Sequence, residues 1–424
     1  DMQEFLRIYK TGATWYYVLF FIVILSFVTT ICSNSLIFRN FVFILLFLNI
    51  IISTINLIPV MKKSLYTIFK TKNYNDSSVL KINNITTSKY PNIFYIVPDG
   101  LASPKILKEY AGIDFKDSIK KFEKKGFNVP MHNYSSYNIT YLSLAALFKM
   151  NYPATEKSSK YKDRSNFYPS IREKNPQILQ YLKKKNYKFV TVPPMWSGCP
   201  RSREYKCLIP NNSYLNIFFQ DYSINSFLKN SFLNKLFTFY SIFTNDTDDT
   251  VKTTLNRMKS NPSIWSDGGV FTMIHMMIPH KPYRKENCSI IDSDSNRSIQ
   301  GYKSSVYCSF NRIHELADFI IKNYPNATIV VQADHGLIPS TYSNKFDETS
   351  NSTIDHRLGI FSAVRGCKSN EASKLNQANI VKYIVECLVI GKPSKPFENK
   401  SYYGFYEDSP DFGKVFRVHP KLVK

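Results

Sequence analysis

Two uncharged apolar segments, at residues 14–33 and 41–60, dominate the start of the chain. Each is long enough for an α-helix to cross a hydrocarbon core of about 30 Å. A buried helix of a soluble domain is the alternative, but two such segments so close together favour membrane spans. The pattern predicts a membrane region over residues 1–60 with two transmembrane helices, followed by a polar linker over residues 61–90.

From residue 91 to residue 424 the pattern changes to short apolar runs that alternate with helical segments. The runs in PNIFYIVPDG, KFVTV, GVFTMIHMMIPHKPY and IVVQADHG predict strands, and TYLSLAALFKMN and YKSSVYCSFNRIHELADFIIKNY predict helices between them. Continuous apolar runs are typical of strands that are covered on both faces. The alternation therefore predicts one α/β domain with a mixed, mostly parallel sheet flanked by helices, and residues 197–250 are interpreted as an insertion or lid.

The cysteines and the charge balance bear on the compartment. Six cysteines outside the first apolar segment form three sequence-local pairs, which predict the disulfides Cys199–Cys207, Cys288–Cys308 and Cys367–Cys387. Disulfides indicate an oxidising compartment, whereas the lysines that follow the second apolar segment favour the cytoplasm by the positive-inside rule. Six unrelated thiols are the alternative. We give the predicted disulfides more weight than the positive-inside rule, and we therefore predict that the domain is extracytoplasmic.

The net charge is +23, from 55 Lys and Arg against 32 Asp and Glu, and it is compatible with several classes of binding partner. Nucleic acid, anionic lipid or a phosphorylated substrate would each suit a basic chain, and a compositional bias toward Lys, Asn, Ile and Tyr would explain it without any partner. No RNA- or DNA-binding motif is present, so we expect no nucleic-acid partner. Lys62 and Lys63 follow the second apolar segment and are candidates to hold anionic lipid.

Polar side chains follow three of the predicted strands. Asp99 ends the first run, His280 follows another, and Asp334 with His335 ends the last. In open α/β sheets ligands bind at the carboxyl ends of strands, so we expect these residues to meet there. Carboxylate oxygens together with imidazole nitrogen suit Zn or Mn better than Ca or Mg. As alternatives, Asp99 would be a turn residue, Asp334 a helix cap and His335 a surface histidine.

Thr140 is the candidate nucleophile, because it stands at the predicted start of a helix, where free backbone N–H groups favour an anion. A threonine hydroxyl needs a base or a metal to become reactive. In the alternative, Thr140 is only a helix cap and Ser135, Ser136 or Ser143 is the nucleophile.

Four segments, FYIVPDG, NITYLSL, HMMIPHKPY and VVQADHG, occur in the order typical of one family. Over roughly residues 91–365 the chain resembles membrane-anchored members of the alkaline phosphatase superfamily. The resemblance is to the sulfatase-like branch with lipoteichoic acid synthases, phosphoethanolamine transferases and phosphoglycerol transferases. It implies an alkaline phosphatase-like fold that is preceded by transmembrane helices.

The resemblance implies that Asp99, Thr140, Asp334 and His335 bind one divalent metal ion, Zn or Mn. Thr140, followed three positions later by Ser143, corresponds to the nucleophile.

Two further histidines take substrate roles by the same resemblance. His280 corresponds to the histidine that contacts the substrate or protonates the leaving group, and His356 is a weaker candidate for substrate binding. His275, inside an apolar strand, is interpreted as a core histidine.

The nucleophile segment departs from that of true sulfatases. A threonine cannot be oxidised to the aldehyde that they use, and the Pro and Arg of their motif are absent, which disfavours sulfate-ester hydrolysis. A single Asp after the first strand indicates one tightly held ion.

By resemblance, the chain is a multi-pass protein of the inner (cytoplasmic) membrane with a periplasmic catalytic domain. We expect a phosphotransferase that moves a phosphoglycerol or phosphoethanolamine head group from a membrane phospholipid to a glycan or lipid acceptor through a phospho-threonine. Two alternatives stay open: a phosphodiester or sulfate-ester hydrolase of the same fold, and a catalytically dead homologue that binds glycan or lipid at the membrane.

Overall fold

A computed structural model of the protein describes residues 90–156, 176–192, 206–208, 250–291, 298–337, 343, 345–405 and 409–418. The chain divides into two compact units, and the described residues belong to the unit formed by Asn83–Asn211 and Asp246–Lys424. The predicted membrane spans at 14–33 and 41–60 lie outside the described residues. Among the helices that are described, none combines the length and apolar character that a membrane span requires.

A six-stranded sheet in the order β3-β2-β4-β1-β5-β6 forms the centre of the described domain. The strands are β1 (Ile93–Pro98), β2 (Lys188–Val192), β3 (Lys206–Cys207), β4 (Val270–Met276), β5 (Thr328–Gln332) and β6 (Ser362–Arg365). All neighbours pair in parallel except β6, which is antiparallel to β5. The prediction of a mixed, mostly parallel sheet is confirmed.

The part of the chain that the structure describes contains ten helices. They are α1 (Pro104–Ala111), α2 (Lys116–Lys124), α3 (Thr140–Lys149), α4 (Gln177–Lys184), α5 (Thr250–Ser260), α6 (Ser263–Ser266), α7 (Ile299–Asn323), α8 (Asn351–Leu358), α9 (Ser369–Ala372) and α10 (Gln377–Ile390). The helices predicted at TYLSLAALFKMN and in the long segment before β5 correspond to α3 and α7.

Helices cover both faces of the sheet because successive side chains of a strand point to opposite sides. In β1, Phe94 and Ile96 belong to a core with residues of α1, α5 and α7. Tyr95 and Val97 belong to a second core with residues of α3, α4 and α10. The continuous apolar sequence of β1 follows from this burial on both faces.

A small hairpin supports the segment that leads into α3. It consists of β7 (Ser401–Gly404) and β8 (Val415–Val418), which pair antiparallel. The side-chain amide of Asn138 donates to the Gly404 carbonyl at 3.0 Å and accepts from the Gly404 N–H at 2.8 Å. This two-way bond fixes the backbone just before Thr140.

Two of the three predicted disulfides are present. Cys288–Cys308 joins the segment after β4 to α7, and Cys367–Cys387 joins the end of β6 to α10. Cys199, and with it the third predicted pair, lies outside the described residues.

Candidate metal and nucleophile site

Two neighbouring parallel strands place their polar residues at one edge of the sheet. Asp99 directly follows β1, while Asp334 and His335 follow β5 after a single alanine. All three side chains are buried, and one ligand atom from each lies within 4.8 Å of the others. The strand ends therefore bring together three of the residues that the sequence proposed as metal ligands.

Thr140 joins this cluster from a third element, because it is the first residue of α3. Its Oγ1 lies 3.1 Å from Nε2 of His335. Thr140 is half-buried, whereas Asp99, Asp334 and His335 are fully buried. Thr140 is thus the most exposed residue of the four, and its hydroxyl lies beside His335.

The loop after β1 is shaped so that Asp99 can approach the turn after β5. Gly100 has a φ of 76°, a conformation that favours glycine, and a Cβ there would lie 3.4 Å from Cε1 of His335. The Tyr302 hydroxyl, from α7, donates to the Gly100 carbonyl at 2.9 Å and accepts from the Ala102 N–H at 3.1 Å. Asp99 is therefore held on a loop that is anchored to α7.

The hydrogen bonds of His335 indicate its tautomer. Nδ1 lies 2.6 Å from the Gly336 carbonyl oxygen, which can only accept, so Nδ1 carries the proton. The lone pair of Nε2 then faces Oδ1 of Asp99 at 3.5 Å and Oδ2 of Asp334 at 3.6 Å. Three acceptor atoms thus point at one another inside a buried site.

This arrangement fits a divalent cation. Asp99 Oδ1 and Asp334 Oδ2 are buried and have no hydrogen-bond donor among the described residues, while the other oxygen of Asp334 accepts from the Gly100 N–H at 3.0 Å. Facing lone pairs repel one another unless a cation or a proton lies between them. A donor set of two carboxylates, one imidazole and a hydroxyl suits Zn or Mn, and it does not distinguish between them.

The protonation states of the cluster suit such a cation, because metal ligands must be deprotonated. Burial by itself would raise the pKa of Asp99, but His280, His275 and His335 together hold it well below its usual range. Burial lowers the pKa of His335, and the neighbouring Asp334 only partly opposes this. At neutral pH Asp99 is ionised and the His335 imidazole is neutral.

His275, which the sequence analysis interpreted as a core histidine, contacts this cluster. It is buried in β4, and its Nε2 lies 3.4 Å from Oδ2 of Asp99. Its backbone pairs with Val97 of β1, two residues before Asp99. An ionisable side chain in an apolar strand is a sequence signal, but its meaning depends on knowing that β4 lies beside β1.

Arg357 is the second residue that the sequence analysis missed. Its guanidinium is fully buried, with Nη1 3.3 Å from Nδ1 of His335 and Nη2 donating to the carbonyl oxygen of Asn138. The sequence offers little signal for this role, since Arg357 precedes an apolar run at the end of a short helix.

Among the described residues, the two histidines with predicted substrate roles form no hydrogen bond or ion pair with the clustered side chains. His280 is half-buried and donates from Nδ1 to the Lys281 carbonyl at 2.8 Å, and it is the strongest electrostatic influence that lowers the pKa of Asp99. It is therefore near the site without direct contact to the clustered side chains that the structure describes. The His356 ring packs on Tyr110, with 4.4 Å between ring centroids.

The alternative nucleophiles are all buried and engaged with the backbone. Ser135 and Ser143 each donate to the carbonyl oxygen of Tyr137, at 2.6 and 2.8 Å. The Ser136 hydroxyl accepts from the backbone N–H of Ala378 at 3.3 Å. These contacts give the three serines structural roles and leave Thr140 as the best-placed hydroxyl.

Comparisons with known proteins give matches at the level of structure. No protein-family model matches the sequence, and no curated protein matches it. Similar solved structures include the C-terminal periplasmic domain of EcEptC from Escherichia coli, at 10% identity and a TM-score of 0.48, with 79% of this chain and 94% of that chain covered.

Two further structures are similar to a comparable degree. The C-terminal periplasmic domain of phosphoethanolamine transferase EptC from Campylobacter jejuni has 13% identity and a TM-score of 0.45, covering 72% of this chain and 91% of its own. A protein in the alkaline phosphatase superfamily from Vibrio parahaemolyticus has 11% identity and a TM-score of 0.45, and the match covers 76% of this chain and 74% of that chain.

Proposed function

We propose that this protein is a divalent-metal-dependent phosphotransferase that works through a covalent phospho-threonine at Thr140. The observation that carries the proposal is the convergence of Asp99, Thr140, Asp334 and His335 from two strand ends and one helix start. A buried pair of carboxylates, a neutral imidazole and an accessible hydroxyl are the parts that such chemistry requires.

Asp99, Thr140, Asp334 and His335 would hold the cation. When bound, it would act as a Lewis acid that lowers the pKa of the Thr140 hydroxyl and offsets charge on a phosphoryl group. The start of α3 adds to this, because Ile139 provides no side-chain cap and the helix dipole is positive there. A phosphodiester would therefore be attracted to the position where the nucleophile stands.

The reaction would proceed in two displacements. Thr140 reacts as the alkoxide, its hydroxyl proton having first been given to solvent. Its Oγ1 attacks phosphorus, the bond from phosphorus to the first alcohol breaks, and protonated His280 gives that alcohol a proton. The phosphoryl group is then esterified to Thr140. A second alcohol gives its proton to His280 and attacks phosphorus, which frees Thr140 and completes the transfer. If water takes the place of the second alcohol, the enzyme is a hydrolase by the same steps.

The proposed donor is a membrane phospholipid with a phosphoethanolamine or phosphoglycerol head group, and the proposed acceptor is a glycan or lipid. The two predicted membrane spans support a lipid donor, because they would tether the domain at a bilayer. The two disulfides support an extracytoplasmic location, since such bonds persist in oxidising compartments.

The test is to incubate the full chain with phospholipid vesicles that carry a head-group label and to map the label by mass spectrometry. We expect the label on the Thr140 peptide, no label in Thr140→Ala, and weaker labelling in Thr140→Ser, which keeps a hydroxyl. Ser143→Ala is the matched control on the same helix and should be labelled like the wild type. Labelling that persists in Thr140→Ala, or is lost in Ser143→Ala, would refute Thr140 as the nucleophile.

Supplying acceptors separates the two reactions. A labelled glycan or lipid product supports a transferase, whereas release of the free phosphorylated head group supports a hydrolase. A chain that binds lipid but is never labelled would favour the catalytically inactive alternative.

A further inference from the structure

The guanidinium of Arg357 is fully buried, although most arginines in proteins keep their charged end in water. It lies near the carboxyl end of α8, whose first two residues are exposed. A charged group is buried only where polar partners compensate for the loss of water. The partners of Arg357 therefore indicate what its burial achieves.

Its two terminal nitrogens reach two different segments of the site. Nη2 donates to the carbonyl oxygen of Asn138, two residues before Thr140. Nη1 lies 3.3 Å from Nδ1 of His335. Because the Nδ1 proton goes to Gly336, this second contact is a packing contact that limits rotation of the ring.

The main chain of Arg357 contacts the same turn. Its carbonyl oxygen accepts from the N–H of Gly336 at 2.7 Å, directly after His335. Arg357 thus binds the turn after β5 through its backbone and the segment before α3 through its side chain. Because a guanidinium is planar and rigid, it fixes the spacing between the two groups that it contacts.

We propose that Arg357 is a positioning residue that holds the Thr140 segment against the His335 turn, so that the nucleophile and the metal-binding imidazole keep their relative placement. The meaning of this placement rests on the proposed function. A lysine cannot replace the arginine, because a single ammonium group cannot reach both segments at once.

Arg365 in β6 offers a matched control. Its guanidinium also donates to backbone carbonyl oxygens, those of Lys125, Ala327 and Pro325, at 2.9–3.1 Å. It pairs with Ile329 near the start of β5, at the opposite end of that strand from Asp334. Removing its side chain breaks the same kind of hydrogen bond at a distance from the site.

The experiment compares the full chain with its Arg357→Met, Arg357→Lys and Arg365→Met variants, and measures Zn affinity by competition with a chelator. Partners of metal ligands typically contribute about tenfold to a hundredfold to affinity. We expect Arg357→Met and Arg357→Lys to bind Zn more weakly by that factor, and Arg365→Met to stay within about twofold of the wild type even where it lowers the melting temperature. If Arg357→Met does not fold, the lysine variant decides the question.

Wild-type affinity in the Arg357 variants, or an equal loss in Arg365→Met, would overturn the proposal. A wild-type chain that binds no Zn would instead count against the proposed function, and crystal structures of the wild type and Arg357→Met then decide the positioning role. In them we expect the variant to lose the Thr140–His335 contact, which is 3.1 Å here. A retained contact would overturn the inference.

Discussion

Gly336, in the sequence Asp334-His335-Gly336, shows how one residue permits the site to form. A Cβ at this position would lie 2.1 Å from the carbonyl oxygen of His356 and 2.7 Å from that of Gly359. Real Cβ atoms do not approach backbone oxygens so closely, so only glycine lets the end of α8 dock on the turn after β5. The docking in turn places Arg357 beside His335.

We predict that Gly336→Ala is destabilised by more than about 3 kcal/mol, because backbone atoms must move to relieve the overlap. Gly112→Ala is the control: Gly112 has a φ of 61°, but a Cβ there would meet nothing within 4 Å, so its cost should be about 1 kcal/mol from backbone strain alone. Urea denaturation of both variants measures the difference. Equal costs would contradict the steric explanation.

The clustering of residues that directly follow strands can be predicted from the sequence, whereas the position of residues that reach the cluster from a neighbouring strand or helix cannot. Asp99, Asp334 and His335 each lie next to an apolar run, and the carboxyl ends of parallel strands share one edge. The proximity of His275 depends on the pairing of β4 with β1, and that of Arg357 depends on where α8 docks. Neither arrangement is encoded by local periodicity.

The segment between β4 and α7 carries His280 and is tied to α7 by the disulfide Cys288–Cys308. The disulfide Cys367–Cys387 encloses the same sequence separation, 20 residues, but lies at the end of β6, away from His280. The loop-closure contribution of a disulfide depends on the length of chain that it closes. The two bonds therefore form a natural pair for comparison.

Replacing both cysteines of either pair with serine should lower the free energy of unfolding by a similar amount, about 3 kcal/mol. Only the Cys288→Ser/Cys308→Ser variant should also show a lower kcat and faster proteolysis within residues 277–291, because only this bond restrains the His280 segment. Denaturation, steady-state kinetics and limited proteolysis make the comparison. An equal loss of kcat in the Cys367→Ser/Cys387→Ser variant would argue against a specific role for the first bond.

Where α2 packs on α7, the tilted rings of His314 and Phe122 are in contact, with 4.3 Å between ring centroids. Nδ1 of His314 lies 3.5 Å from the Lys125 ammonium. Burial, then Lys125 and Lys121, lower the pKa of His314 to about 4, and Asp318 opposes them. An unfolded histidine has a pKa near 6.5. Between these values the unfolded chain binds more protons, so stability is present above pH 6.5 and is lost as the pH falls toward 4.

The variant His314→Gln cannot titrate at this position. We predict that its free energy of unfolding rises by about 1 kcal/mol relative to that of the wild type as the pH falls from 7 to 4.5, a value discounted for the partial exposure of the ring. The measurement is urea denaturation of both proteins across this range. Stability curves that stay parallel would show that His314 does not carry the effect.

At the scale of elements, helices were easier to predict than the neighbours of each strand. The sequence indicated α3 and α7 because both are long runs of helical composition. The order of the sheet places β1 between β4 and β5, two consecutive strands that come much later in the chain than β1. Such pairings are set by how two layers of helices pack on the sheet, and no local pattern contains that information.

For the whole molecule, cation binding should couple to folding. Asp99 and Asp334 bring two carboxylates into a buried site, and a cation that offsets their charge would bind only the folded chain. We predict that chelator treatment lowers the melting temperature and that Zn or Mn restores it. A melting temperature that changes with neither treatment would indicate that no cation stabilises the fold.

The proposed function requires that Asp99 and Asp334 help to hold a divalent cation beside Thr140. The most direct test is to measure the metal content of the purified full chain by elemental mass spectrometry. The same measurement is made on an Asp99→Asn/Asp334→Asn variant, whose side chains have nearly the same shape. We predict about one Zn or Mn ion per wild-type chain and less than about a tenth of that in the variant. A wild type that carries no such ion, or a variant that retains it, would show that these two carboxylates do not hold a cation.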